Sequence, residues 1–137
     1  MHADSNFDVF GIVDDVWGHT DGSLAIVDYK ATSTPATLSL DGRHGYMRQI
    51  ELSQWLFRRN GFTVSSDGYF VFVNASRDRD MFDRILEFSM QILSHAGSDA
   101  WVEDALIAAR ECLMGGLPPP YVETCAWCAY RRAAREE

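Results

Sequence analysis

The chain has 137 residues, of which 47% are hydrophobic, so it can form one compact domain with a core but not two. Its three cysteines, an odd number, argue against a disulfide framework. The chain lacks both a secretory signal and an apolar run of about 18 residues. We therefore expect a soluble, cytoplasmic protein with no membrane partner. The net charge of −8 disfavours a broad nucleic-acid-binding surface, although clustered carboxylates can bind divalent cations.

The first half of the chain predicts a β-hairpin followed by a helix. Residues 7–17 are a β-rich run, residues 19–22 have turn chemistry, and residues 24–30 predict a second strand that pairs with the first. Residues 31–43 contain Pro35 and Gly42 and lack a helical period, so we expect an exposed connection. Apolar residues at helical spacing then predict an amphipathic helix over residues 46–60, ending at Gly61.

The second half predicts two more strands, a helix and a C-terminal arm. Residues 68–73 are apolar and aromatic, which is typical of a central strand, and residues 86–92 alternate like a strand with one covered face. A last helix begins at Ser98 or Asp99 and runs to about residue 114. Three prolines then lead a stiff arm, residues 118–137, into a Cys-x-x-Cys pair. This order predicts an α/β fold with a mixed sheet of about four strands flanked by helices.

The end of the second predicted strand carries the most informative chemistry. Because strand side chains alternate between faces, Asp28 and Lys30 share a face and Tyr29 takes the other. Neither Asp nor Lys favours strands, and burying an unpaired charge is costly. An isolated Asp-x-Lys would be read as a salt-bridged strand end. Asp14, on the preceding predicted strand, favours a functional site instead, whereas Asp15 must face the opposite side.

These residue types suit the hydrolysis of phosphodiesters. That reaction needs a hard cation with oxygen ligands, and Asp14 and Asp28 are the natural candidates. Lys30 can neutralise charge in the transition state. Gln49, on the following predicted helix, can orient the lysine or the nucleotide by hydrogen bonding.

The ordered set of motifs resembles the PD-(D/E)XK nuclease superfamily and, within it, the RecB-like exonuclease branch. The resemblance extends over most of the chain. The residues that carry it are Gly11 and Asp14 in the first motif, Asp28, Tyr29 and Lys30 in the second, and Gln49 in the helix. The helix motif of the branch usually has Tyr four residues after the Gln, and here that position is Ser53.

The resemblance implies a restriction-endonuclease-like fold in a single nuclease-like domain over residues 1–137. It implies a Mg²⁺ or Mn²⁺ cofactor held by Asp14, Asp28 and the backbone carbonyl of Tyr29, with catalysis by Asp14, Asp28, Lys30 and Gln49. The activity implied is metal-dependent hydrolysis of DNA, as an exonuclease in DNA repair, recombination or phage defence. DNA is then the substrate, and a helicase or another repair protein is the expected partner.

The chain departs from the RecB-like pattern at both ends. The helix that precedes the first strand in that branch is missing, which suggests a fragment, a minimal version or a homo-oligomer that completes the fold. The iron–sulfur cluster found in that branch needs four cysteines, and Ala133 or Ala134 stands where the last cysteine is expected. We therefore favour a relic cluster motif, formed by Cys112, Cys125 and Cys128, over a working iron–sulfur cluster. The alternative function is a catalytically inactive nuclease-like module that binds DNA or a protein partner.

Overall fold

The computed structural model describes residues 1–77, 84–117 and 119–134. The strands are β1 Asp15–Gly18, β2 Leu24–Thr32, β3 Asp67–Ala75 and β4 Phe88–Ala96, and the helices are α1 His44–Arg59, α2 Val102–Met114 and α3 Ala126–Ala133. The chain divides into two compact units, Asp8–Glu103 and Met1–Phe7 with Asp104–Glu137. In the described part of the chain, no helix combines the length and apolar character needed to cross a membrane.

The four strands form one mixed sheet in the order β1-β2-β3-β4. β1 and β2 form the predicted antiparallel hairpin, β2 and β3 run parallel with α1 between them in sequence, and β4 returns antiparallel to β3. The predicted α/β fold is therefore confirmed, and it is consistent with a restriction-endonuclease-like arrangement.

The core lies between α1 and one face of the sheet. Ile26 of β2 and Phe70 and Phe72 of β3 form a buried cluster with Ile50 of α1. Gly68 lets the helix approach the sheet closely, because a Cβ atom at this position would overlap the side chain of Ile50. This close packing fixes α1 over the strand that carries the candidate site.

Glu51 links α1 to β4 and to the residues before α2. Its carboxylate lies 2.9 Å from His95 Nε2 and accepts a 2.7 Å hydrogen bond from Trp101 Nε1. Burial raises the pKa of Glu51, but the hydrogen bonds from His95, Trp101 and the Ser98 amide outweigh burial and lower the pKa below its usual value. The ionised carboxylate therefore stabilises this junction.

Two expectations for the first half of the chain need correction. The first strand begins only at Asp15, so residues 7–14 do not belong to it. The connection predicted over residues 31–43 is not simply exposed, because Leu38 is 8% exposed and packs in the core cluster. The amphipathic helix is confirmed within two residues, and Gly61 follows it with a φ of +86°.

The second half of the chain differs from expectation mainly in β4. This strand starts two residues later than predicted, and most of its side chains are exposed, including Phe88, Met90 and Ile92 on the face predicted to be covered. α2 begins at Val102 rather than at residue 98 or 99. The C-terminal arm contains the short helix α3, which we did not predict, and the start of the arm at Pro118 lies outside the described residues.

Candidate active site

The central strand β2 places Asp28 and Lys30 on the face of the sheet that α1 covers. Asp28 is paired in register with Phe70 and Lys30 with Phe72, and both phenylalanines belong to the buried cluster under α1. Asp28 is 4% exposed, and the Lys30 side chain retains 18% exposure. A buried carboxylate of this kind requires a charged or hydrogen-bonding partner.

Asp28, Lys30 and Gln49 form a closed triangle of polar contacts. The Lys30 ammonium forms an ion pair with Asp28 Oδ2 and donates a 3.1 Å hydrogen bond to Gln49 Oε1. Gln49 Nε2 in turn donates to Asp28 Oδ1 at 2.8 Å. Because Gln49 contacts both charged groups from α1, it fixes the position of each relative to the other.

Asp14 joins this group from the residue immediately before β1. Its Oδ2 atom accepts a 2.9 Å hydrogen bond from the backbone N–H of Tyr29. The antiparallel register pairs Asp15 with Val27, and continuing it by one residue sets Asp14 opposite Asp28. Residues opposite each other in an antiparallel pair share a face, so the two carboxylates lie on the same side of the sheet.

Asp15 takes the opposite face, where it holds the Tyr29 side chain. Asp15 Oδ2 accepts hydrogen bonds from the Tyr29 hydroxyl at 2.9 Å and from Trp17 Nε1 at 3.2 Å. The bond from Tyr29 is the largest cause that lowers the pKa of Asp15, and the same bond raises the pKa of Tyr29. The two neighbouring aspartates thus contact different groups of Tyr29, Asp14 the backbone N–H and Asp15 the hydroxyl.

Tyr46 is a site residue that sequence reasoning missed. The Lys30 ammonium lies 4.7 Å from the centre of the Tyr46 ring, and the Arg43 guanidinium lies 5.5 Å from the same ring. Contacts between a cation and an aromatic face hold a positive charge without neutralising it. Tyr46 precedes Gln49 by three residues, and this helical spacing could have placed both side chains over the same strand.

Ser53, at the position where RecB-like proteins usually have Tyr, bonds within its own helix. Its hydroxyl donates a 2.9 Å hydrogen bond to the Gln49 carbonyl one turn earlier. The bond therefore involves the backbone of Gln49 and leaves the amide side chain to contact Asp28 and Lys30.

The three arginines of α1 contact neighbouring carboxylates, backbone carbonyls or an aromatic ring. Arg58 is held by Asp99 at 2.6 Å and also donates to two backbone carbonyls, and Arg59 lies 3.8 Å from Glu103. Arg48 lies over the Trp101 ring at 5.2 Å. Arg58 therefore has a mainly structural role in the helix packing.

The carboxylates fit a hard divalent cation with few protein ligands. In the described ranges, no group of three or more His, Cys, Asp and Glu side chains could hold a metal. Mg²⁺, however, is usually bound by one or two carboxylates, with waters and substrate phosphates supplying the other oxygens. Asp28 Oδ2 is buried and is contacted only through its ion pair with Lys30, without a hydrogen-bond partner among the described residues. A cation position between Asp14 and Asp28 is compatible with this donor set.

The three cysteines lie in the unit that contains α3. Cys112 is exposed on α2. Cys125 caps the N-terminus of α3, and its Sγ atom accepts a 3.3 Å hydrogen bond from the backbone N–H of Cys128. The bond from the Cys128 thiol lowers the pKa of Cys125, and the same contact raises that of Cys128.

Comparison with known proteins gives one family. No curated protein and no solved structure matches the chain significantly. The family model of the PD-(D/E)XK nuclease superfamily matches residues 3–133, which is nearly the whole chain. Members of this superfamily typically use divalent metals. With the Asp-x-Lys strand, the preceding aspartate and the mixed sheet already in place, this match shows that the chain belongs to the PD-(D/E)XK nuclease superfamily.

Proposed function

We propose that the protein is a divalent-metal-dependent deoxyribonuclease that hydrolyses phosphodiester bonds. The observation that carries this proposal is the triangle of Asp28, Lys30 and Gln49 beside Asp14, inside a chain that belongs to a nuclease superfamily. We assign Asp14, Asp28, Lys30 and Gln49 as catalytic residues. Asp14, Asp28 and the carbonyl of Tyr29 are the proposed ligands of Mg²⁺ or Mn²⁺.

The proposed mechanism assigns a separate role to each side chain. A divalent ion, when bound, polarises the phosphoryl group and lowers the pKa of a water molecule. Asp14 and Asp28, whose carboxylates lie on the same side of the sheet, would hold that ion. Lys30 supplies positive charge where negative charge develops on the phosphoryl oxygens in the transition state. Gln49 keeps Lys30 and Asp28 in fixed relative positions through its two hydrogen bonds.

Binding of DNA by an acidic protein requires local positive charge. The net charge of the chain is −8, so its overall field repels a polyanion. Lys30 and Arg43 both lie against the Tyr46 ring, which brings two cations to the same place on α1 and β2. We assign these two residues, with the bound divalent ion, as the groups that attract the phosphate backbone.

The finer parts of the function rest on the resemblance to the RecB-like branch. We propose that the enzyme is an exonuclease in DNA repair, recombination or phage defence, acting with a helicase or another repair protein. The family match over residues 3–133 supports a single nuclease-like domain.

Digestion of end-labelled linear DNA and covalently closed circular DNA in the presence of Mn²⁺ tests this function. We expect loss of the linear substrate, no cleavage of the circle, and no activity with chelator or with Asp28→Ala. Cleavage of the circle would identify an endonuclease instead. Binding of DNA without cleavage would contradict the enzyme assignment and favour the inactive binding module.

A further inference from the structure

Tyr29 contacts two consecutive carboxylates, one through its backbone and one through its side chain. Its backbone N–H donates to Asp14 at 2.9 Å, and its hydroxyl donates to Asp15 at 2.9 Å. Tyr29 stands between Asp28 and Lys30 in sequence, so a contact that moves it also moves the candidate site. We call this pair of contacts the Tyr29 clasp.

Asp14 depends on the Tyr29 clasp because regular pairing does not fix it. β1 has four residues and begins at Asp15, which leaves Asp14 just outside the ladder and exposed. Asp15, by contrast, is well anchored. Its Oδ1 atom accepts from the Val16 amide at 2.7 Å, and its Oδ2 atom also accepts from the Trp17 indole. Trp17 in turn packs on Tyr69 of β3, with ring centroids 5.2 Å apart.

The clasp contributes little to the hydrophobic core. The Tyr29 side chain points away from the buried cluster, and the residue is 47% exposed. An exposed hydrogen bond adds little to the stability of a fold, since water competes for both groups. An effect of the clasp on the position of Asp14 can therefore be measured separately from an effect on the stability of the fold.

We propose that Asp15 is a positioning residue, which acts through the Tyr29 hydroxyl to set the separation of Asp14 and Asp28. This inference rests on the proposed function, since it concerns the cation site of the same reaction. Tyr29→Phe removes the hydroxyl and leaves both carboxylates and the charge of Asp15 in place. Asp15→Asn removes the charge of Asp15 but retains an oxygen that can accept the bond from the Tyr29 hydroxyl.

Calorimetric titration with Mn²⁺ tests the inference. We expect Tyr29→Phe and Asp15→Ala each to weaken Mn²⁺ binding about 10-fold, the lower end of the effect of partners that orient metal ligands. Asp15→Asn should weaken binding less than Asp15→Ala. The double variant Tyr29→Phe with Asp15→Ala should bind Mn²⁺ no more weakly than Asp15→Ala alone, because Asp15→Ala already removes the bond that Tyr29→Phe removes.

Tyr69→Phe is the matched control. It removes a hydroxyl from the same face of the sheet and keeps the ring packed on Trp17. We expect this variant to bind Mn²⁺ like the wild type, and all single variants to melt within a few degrees of it. Equal binding by Tyr29→Phe and Tyr69→Phe would overturn the inference. Additive losses in the double variant, or losses that follow melting temperature alone, would also overturn it.

A second measurement separates this inference from the proposed function. If the wild type bound no Mn²⁺ and cut no DNA, the proposed function would fail, but the clasp would still affect the Tyr29 amide. Hydrogen exchange at that amide should be faster in Asp15→Ala than in Asp15→Asn and the wild type, because the bond from Asp14 is then less firmly held. Unchanged exchange in Asp15→Ala would exclude the clasp, whatever the metal data show.

Discussion

The ion pair between Lys30 and Asp28 makes Lys30→Met an informative perturbation. Asp28 is 4% exposed, so removal of the ammonium leaves a buried carboxylate supported mainly by Gln49. Breaking a buried pair by removing one partner costs about 3 kcal/mol or more. For a chain of 137 residues, that cost corresponds to a fall in melting temperature of about 9 °C, at roughly 3 °C per kcal/mol.

Addition of Mn²⁺ should reverse this loss. In the wild type, a cation that binds Asp28 competes with the Lys30 ammonium at Oδ2, whereas in Lys30→Met that position is open. Ligand binding to the folded state raises stability by about 2.7 kcal/mol when the free ligand is at 100 times its dissociation constant. We therefore expect the same Mn²⁺ concentration to raise the melting temperature of the variant more than that of the wild type, measured by scanning calorimetry with chelator as the reference.

Two further variants decide whether the effect is electrostatic. Lys30→Arg keeps the charge and should retain most of the stability of the wild type. Combining Lys30→Met with Asp28→Asn removes the unpaired charge, so the double variant should be more stable than Lys30→Met alone in chelator. A melting temperature for Lys30→Met within about one degree of the wild type would refute the reasoning. So would a double variant as unstable as the single one.

Three further predictions concern neighbouring residues. Asp28→Ala should abolish Mn²⁺ binding in calorimetric titration, and equal binding by this variant would contradict the ligand assignment. Gln49→Ala should lower the rate of DNA cleavage about 10-fold or more, because Gln49 orients both Lys30 and Asp28 through its two hydrogen bonds. The pKa of Glu51 lies below its ordinary value of 4.5, so its contribution is present above that pH and lost as pH falls through the lowered pKa. Urea unfolding should therefore show a shallower acid loss of stability for Glu51→Gln, and identical pH profiles would count against the junction with His95.

The strand pattern predicted the geometry around Asp28 well because side-chain alternation is a local property. Any regular strand through residues 24–30 sets Asp28 and Lys30 on one face. The same local rule failed for β4, where alternation alone cannot show which face is covered. The register decides this, since Phe70 pairs with Leu93 and brings Leu93 to the core side of the sheet. Phe88, Met90 and Ile92 therefore lie on the other face.

Leu38 shows a second limit of reasoning from local patterns. It lies in a segment without helical or strand periodicity, yet it is buried against Ile26, Ile50 and the phenylalanines of β3. A long connection between a strand and a helix can return one side chain to the core, and periodicity carries no information about that. Tyr46 was missed for a related reason, because its contact with Lys30 depends on how α1 sits on the sheet.

Asp14 and Asp15, at the start of the hairpin, have different roles although they are consecutive residues. Because consecutive strand residues face opposite ways, Asp14 turns to the side of Asp28, and Asp15 turns to the hydroxyl of Tyr29. An edge strand of four residues gains little rigidity from its own ladder. The polar contacts made by these aspartates therefore replace the backbone pairing that a longer strand would provide. They hold the exposed carboxylate of Asp14 in place beside the buried carboxylate of Asp28.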